Sequence, residues 1–328
     1  MTNPKSKTHT TDGILVIDKP VGWTSHDVVA RVRRILRERR VGHTGTLDPF
    51  ATGVLVMLVG RATRLAQFLA GAEKEYEATI RLGFATDTGD LTGAPREAPP
   101  GARDCATLDA TGIEAALATL RGEIEQVPPM YSAKKIEGRK LYELARRGEE
   151  IERKAVRVCV GAFEIISDEP GAPVLRRNED GTCDFKARVV CSAGTYVRSL
   201  AESVGEKLST GAHLSALRRT RAGDFRVACA QTLEELQASV EAGRGSEILL
   251  SPDAALPALP FVHLSVEDER RVRHGGAVPL RDAPREWRDG ELVRMRDGDE
   301  NLLAVGVYSA VRAHLQPRVM LAAEENKP

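Results

Sequence analysis

Six consecutive apolar residues, Val54-Leu55-Val56-Met57-Leu58-Val59, stand between Gly53 and Gly60 and read as a buried strand. Directly ahead of them runs Gly42-His43-Thr44-Gly45-Thr46-Leu47-Asp48-Pro49, a glycine-rich turn presenting one carboxylate. Gly42 and Gly45 are expected to permit backbone angles and close approaches that other residues resist, and Pro49 biases Asp48 away from the right-handed helical region. A carboxylate at a bend on a rigid strand is a good mount for a nucleophile. Taken alone, however, an aspartate before a proline is an ordinary turn residue.

Around this unit the chain alternates strand and helix signals. Residues 13–18 form a short strand ended by the turn Lys19-Pro20-Val21-Gly22. Thr24 and Asp27 make a capping-box-like helix start, after which Val28, Val32, Ile35 and Leu36 recur on one face with arginines on the others. A further helix is expected over 61–69. Residues 76–82 alternate strictly, placing Tyr76, Ala78, Ile80 and Leu82 on the core side of a strand. Residues 83–104, with Asp87 and Asp90, have the composition of a long loop. Short helices over 113–120 and 140–147 are separated by Gln126-Val127-Pro128-Pro129-Met130-Tyr131-Ser132, which breaks both patterns. Phe185, Ala187, Val189 and Cys191 alternate in a strand, and Gly194-Thr195-Tyr196-Val197-Arg198 then leads into a helix, so Tyr196 and Arg198 stand at the junction. Another helix is expected over 232–240, and residues 252–260, with three prolines, read as a linker. Apolar runs at 261–266, 278–280, 302–308 and 317–321 then suggest a small β-rich domain. The expected class is α+β: a mixed, largely antiparallel sheet with flanking helices and a C-terminal β domain.

With 328 residues, 42% of them hydrophobic, the chain can bury one large core and a smaller one. No apolar run approaches the roughly 18 residues of a membrane span, and residues 1–12 are polar without a signal-peptide core, so a cytoplasmic protein with a disordered start is expected. Five cysteines with neither a Cys-x-x-Cys pair nor a zinc ligand set point to reduced thiols and no structural metal. Formal net charge is zero, yet basic residues cluster at 31–40, at 134–147 and at 218–226. Such stripes suit a polyanion that is bound and released, although charge runs alone favour the plainer reading of solvated helix faces.

Several segments together resemble one family. They are Lys19-Pro20-x-Gly22-x-Thr24-Ser25, then residues 42–55, Lys74-x-Tyr76, Gln126-Val127-Pro128-Pro129-x-Tyr131-Ser132-Ala133, Gly194-Thr195-Tyr196-Val197-Arg198, and Gly211-Ala212-His213-Leu214-x-x-Leu217-Arg218-Arg219. This order resembles the bacterial tRNA pseudouridine-55 synthases, the TruB family, over roughly residues 13–230. The C-terminal part resembles, by position and strand pattern, the small PUA-type RNA-binding domain of that family. The resemblance implies a catalytic domain over 13–251 and a PUA-like domain over 261–328. An inserted segment at about 126–150 would grip the RNA through phosphate contacts.

It also implies the reaction: a uridine in the T-arm of tRNA is detached from C1′, turned and rejoined through C5. This isomerisation needs no cofactor, in keeping with the absence of Rossmann or P-loop glycine patterns. By resemblance Asp48 is the nucleophile and Arg198 its partner. A free aspartate, with pKa about 3.9, is ionised at neutral pH, and a nearby arginine is expected to strengthen that. Tyr76 would lie against the flipped base, with Tyr196 near it and Leu217 in the apolar wall. His43 would help displace the nucleotide, Asp90 would lie near the base edge, and Lys19 near the site. The implied partner is tRNA, acted on by a monomer without an obligatory protein partner or guide RNA. An accompanying tRNA-folding activity is expected, since unfolding the T-arm to reach a base also lets a misfolded tRNA try again. Two rivals remain open: an RNA-binding protein that helps tRNA fold with catalysis secondary or absent, and the catalytic subunit of a guide-RNA complex.

Overall fold

A computed structural model describes residues 12–322 apart from 98–100, 133, 137, 146, 150, 168, 170, 172 and 281–286; residues 1–11 of the expected disordered start lie outside the described residues. In chain order the strands of the larger part are β1 (Gly13–Lys19), β2 (Val41–His43), β3 (Thr52–Val59), β4 (Lys74–Leu82), β5 (Gly122–Gln126), the small hairpin β6 (Lys135–Ile136) and β7 (Arg139–Lys140), β8 (Val156–Ile166), β9 (Arg176–Arg177), β10 (Cys183–Cys191), β11 (Ala212–Ala222) and β12 (Phe225–Arg226). The main sheet runs β1-β3-β11-β4-β10-β8-β5, with β2 on β3, β9 on β10 and β12 on β11. Of its strand pairs among the described residues only β3–β11 is parallel, with Arg218 opposite Thr52 and Arg219 opposite Gly53.

Strand β3 is the apolar run, buried from Gly53 to Val59 on both faces. Strand β4 buries alternate residues, and Tyr76 is on the buried side. Helix α1 (Ser25–Leu36) begins with the full capping box of Thr24 and Asp27, which satisfies two otherwise unpaired donors. Its Val28, Val29, Val32 and Ile35 pack with Leu15 and Ile17 of β1, Leu55, Met57 and Val59 of β3, and Leu233 and Leu236. Each such side chain contributes about 1.5–3 kcal/mol when fully buried. Helices α2 (Ala66–Leu69), α3 (Ala110–Ala118), α4 (Leu141–Ala145), α5 (Val197–Leu208) and α6 (Leu233–Glu241) follow in order. Ile113 and Leu117 of α3 and Leu200, Ala201 and Val204 of α5 share a second core with Tyr76, Ile80, Phe163, Phe185 and Val189.

Several expectations change. The helix over 61–69 is a 3-10 helix, Gly60–Leu65, followed by the single turn α2. The tighter winding covers more length per residue and carries the chain from β3 past β11 to β4. The long strands β8 and β11 have no counterpart among the elements read from the sequence. Gly42 and Gly45 take no positive φ, and a Cβ on either would meet only ordinary contacts. At this turn a required glycine is Gly53: φ is 97°, and a Cβ there would lie 2.2 Å from the Arg219 carbonyl oxygen across the parallel pair.

The three-proline segment is packed, not a loose spacer. Ala255 and Leu256 are buried, and the Asp253 carboxylate accepts from Arg294 Nη1 at 2.7 Å and Arg296 Nε at 2.9 Å. Beyond it lie β13 (Phe261–His263), helix α7 (Val266–Arg273), β14 (Val278–Pro279), β15 (Leu292–Arg296), β16 (Leu302–Ser309) and β17 (His314–Met320). These strands form a second sheet in the order β13-β15-β16-β17-β14. The run over 261–266 is thus split: Ser265 caps α7, whose acidic first turn and basic last turn suit the helix dipole. Leu65 packs with Leu256, Leu302, Val305, Val319 and Leu321, and Arg64 donates to the Met320 carbonyl at 2.6 Å, so the second sheet is docked on the first.

Candidate active site

The Asp48 turn links β2 to β3, and three neighbouring elements hold its backbone. Ser25, at the start of α1, accepts from Leu47 N at 2.9 Å and donates to Leu47 O at 3.2 Å through one buried hydroxyl. The fully buried Lys19 ammonium donates to the carbonyls of Pro20, Trp23 and Pro49 at 2.9, 2.6 and 3.2 Å. From β11, Arg219 donates to Gly45 O at 3.0 Å and to Val54 O at 2.7 Å. Ser25→Ala removes a buried two-way bond and should cost about 1–3 kcal/mol in denaturant unfolding while reducing activity through a looser turn.

Arg198, at the start of α5 and 4% exposed, is fixed by three acceptors. Its Nε lies 2.9 Å from Asp48 Oδ2, Nη1 donates to Thr88 O at 2.8 Å, and Nη2 to Tyr131 O at 2.7 Å. The junction itself is held by Gln126, whose amide oxygen accepts from Tyr196 N at 3.0 Å and whose Nε2 donates to Tyr196 O. The Asp48 side chain is 35% exposed, so a ligand can reach it. Its pKa is nonetheless raised above the usual aspartate value by desolvation, which Arg198 opposes. The expectation that the carboxylate is simply an easily ionised one is corrected: surrounding protein works against its charge, and Arg198 is needed to offset that.

Asp48 opens onto a cavity of about 280 Å³ that is also lined by Lys74, Tyr76, Ser132, Lys134, Tyr196, Val197, Arg198, Leu217 and Arg219. Five residues singled out in the sequence therefore meet: Asp48, Tyr76, Tyr196, Arg198 and Leu217. Tyr76 is 8% exposed, and burial raises its phenol pKa. The other three stand outside the cavity wall. Lys19, its pKa lowered by burial to about 8, sits behind the turn. Asp90 is buried, with Oδ1 accepting from Thr88 Oγ1 and from Thr92 N, both at 2.9 Å, and Oδ2 3.9 Å from Arg198 Nε. His43 faces His26 edge-on with ring centroids 5.9 Å apart; its Nδ1 is buried without a partner, and burial lowers its pKa, keeping the ring neutral.

Sequence reasoning missed Ser25, Lys74, Gln126 and Arg219 as site residues, although each falls in a quoted motif. The basic run at 218–226 is also reassigned. Arg218 pairs with Asp18 at 2.6 Å, Arg219 is buried, and Arg221 pairs with Glu73 at 2.6 Å, so these charges are used within the protein. On α1, by contrast, Arg33 and Arg34 are exposed.

Residues 33–197 match the family model for the N-terminal domain of TruB family pseudouridylate synthases, and residues 198–256 match that for the tRNA pseudouridylate synthase B C-terminal domain. The boundary between these matches falls inside α5, so the fold does not divide there. A tRNA pseudouridine synthase B of Thermobifida fusca is 48% identical over 81% of this chain and 86% of its own. One from Ralstonia nicotianae is 44% identical over 82% of this chain and 81% of its own. Among solved structures, one titled as a Cbf5-Nop10-Gar1 complex aligns over 99% of this chain and 92% of its own, with a TM-score of 0.68 and 26% identity. With a mixed sheet carrying an aspartate turn against a buried arginine, and relatives this similar over most of its length, the chain belongs to the TruB family of pseudouridylate synthases.

Proposed function

We propose that this protein converts uridine 55 in the T-arm of tRNA to pseudouridine, with Asp48 as the nucleophile acting on a nucleotide turned out of its stack. The observation that carries this reading is the Asp48–Arg198 pair, 2.9 Å apart, at the edge of a cavity walled by an aromatic ring. The carboxylate adds to the nucleoside and the N1–C1′ bond breaks; the uracil turns while the cavity retains it, C5 bonds to C1′ as the bond to Asp48 is released, and the C5 proton leaves while N1 takes one up. Arg198 keeps the carboxylate ionised and aimed. Tyr76 and Tyr196 offer ring faces to the base, where stacking is worth about 1–3 kcal/mol, and Leu217 supplies apolar wall. His43 helps displace the nucleotide, while Asp90 and Lys19 hold the loops that frame the base. The segment at 126–150 grips the T-arm, the second sheet serves as a PUA-type RNA-binding domain, and the protein works as a monomer without guide RNA.

The deciding experiment is tritium release from a transcribed tRNA with C5-labelled uridine, using the purified protein alone. Release that disappears when uridine 55 is replaced supports the reaction, its position and its independence of partners. Tight binding with no release favours an RNA-folding or guide-dependent role.

The acid limb of kcat/KM against pH is expected above the ordinary aspartate value, because Asp48 must be ionised and its pKa is raised. Arg198→Gln removes the group that opposes the rise, so the limb should move up by about 1–3 units. An unchanged limb would show that it reports another group.

A further inference from the structure

The cavity holds more positive charge than its catalytic pair uses. Lys74, Lys134, Arg198 and Arg219 line it against the single carboxylate of Asp48, which Arg198 already engages. Lys74 and Arg219 are 8% and 2% exposed, and among the described residues no carboxylate forms an ion pair with either. Arg219 donates to the turn carbonyls of Gly45 and Thr46 and to Val54 O. Lys74 Nζ donates to Ala70 O at 2.7 Å and Ala72 O at 2.5 Å, which leaves one of its three N–H groups. It lies two residues along β4 from Tyr76, roughly 7 Å away, on the same buried face.

We propose that Lys74, with Arg219 behind it, is an anion subsite of this cavity and takes a backbone phosphodiester beside the flipped nucleotide. The inference rests on the RNA-modifying reading above. A buried cation without a counter-ion is unfavourable in the free protein, and binding relieves this only if the ligand brings permanent negative charge. Uracil is neutral in the bound substrate and carries charge only while detached, whereas a phosphodiester is always charged. A compact ammonium with a free N–H suits a phosphate oxygen.

The same site makes binding sensitive to pH. Burial, and secondarily Arg219 of β11, lower the Lys74 pKa to about 8; the other titratable group facing it, Cys191 of β10, is pushed up to about 11 and stays neutral there. Lys74 is therefore charged at pH 7 and largely uncharged at pH 9.

The test measures tRNA affinity against salt at pH 7 and pH 9, with single-turnover pseudouridine formation, for wild type, Lys74→Gln and Lys74→Arg. At pH 7 the glutamine variant should bind about tenfold more weakly, with the slope of log K against log salt smaller by about one. Its loss should be larger in affinity than in the rate at saturating RNA. Wild type should lose the same increment of slope between pH 7 and 9, and Lys74→Arg should keep it. A merely structural lysine would change the melting temperature without altering the salt slope. Equal slopes in all three proteins would overturn the proposal. Unchanged affinity with a slower saturated rate would overturn it in favour of a charge acting on the departing uracil. If the glutamine variant does not fold, the comparison of wild type with Lys74→Arg across the two pH values still decides. Wild type that shows the slope change but forms no pseudouridine would remove the enzymatic reading and leave the subsite standing.

Discussion

Asp48→Asn is expected to reduce pseudouridine formation by roughly 10⁴-fold or more while leaving tRNA affinity within about threefold. The amide has the shape of the carboxylate but cannot supply a negatively charged oxygen to the nucleoside. The architecture should tolerate the change. Arg198 keeps the Thr88 and Tyr131 carbonyls, and Asp90 Oδ2 stands 3.9 Å from its Nε, so the guanidinium is not left without negative neighbours. The turn is held by Ser25, Lys19 and Arg219 through backbone atoms that the substitution does not touch. Tritium release and a thermal melt on the same preparation separate the two effects. Residual activity above about 1% of wild type, in a folded variant, would remove Asp48 from the role of nucleophile.

Gly53→Ala should have the largest effect on stability, at least about 3 kcal/mol. The added Cβ would sit 2.2 Å from Arg219 O and 2.8 Å from Arg219 N, both backbone atoms that no rotamer can move aside, at a φ of 97°. Relief requires β3 and β11 to part where they run parallel, Thr52 beside Arg218 and Gly53 beside Arg219. A loss of this size should lower the melting temperature by roughly 6–12 °C. Activity in the surviving folded fraction should also fall, because the strand that moves carries the arginine that holds the Asp48 turn. A drop below about 2 °C would mean that the two strands separate at little cost.

Residues whose environment is set locally were legible in the sequence. The capping box of α1, the alternation of β4 and the apolar run of β3 each declare their structure within a few residues, and the Asp48 motif is one contiguous segment. Strand β11 is different. Its Arg218, Arg219 and Arg221 read as an exposed basic patch, yet they are satisfied by Asp18, Val54 and Glu73, residues 148 to 200 positions away in sequence. No local periodicity can display such partners. For the same reason Gln126 and Ser25 stayed anonymous: each acts by bonding both backbone groups of one distant residue, Tyr196 or Leu47. The place of Asp48 in a turn ahead of β3 is legible, but the effect of its surroundings is not, because desolvation depends on packing that only the folded chain creates.

The bond from Arg198 to residue 131 ends on a backbone carbonyl. Substitution of the Tyr131 side chain leaves that oxygen in place, so natural variation at this position can proceed without disturbing the guanidinium. What the contact demands is position: the segment 126–132 must lie where its chain passes over Arg198. Lifting that segment would withdraw one of three acceptors from the residue that charges and aims Asp48. The contact therefore ties one of the three acceptors of Arg198 to the path of residues 126–132 and leaves it independent of the side chain at position 131.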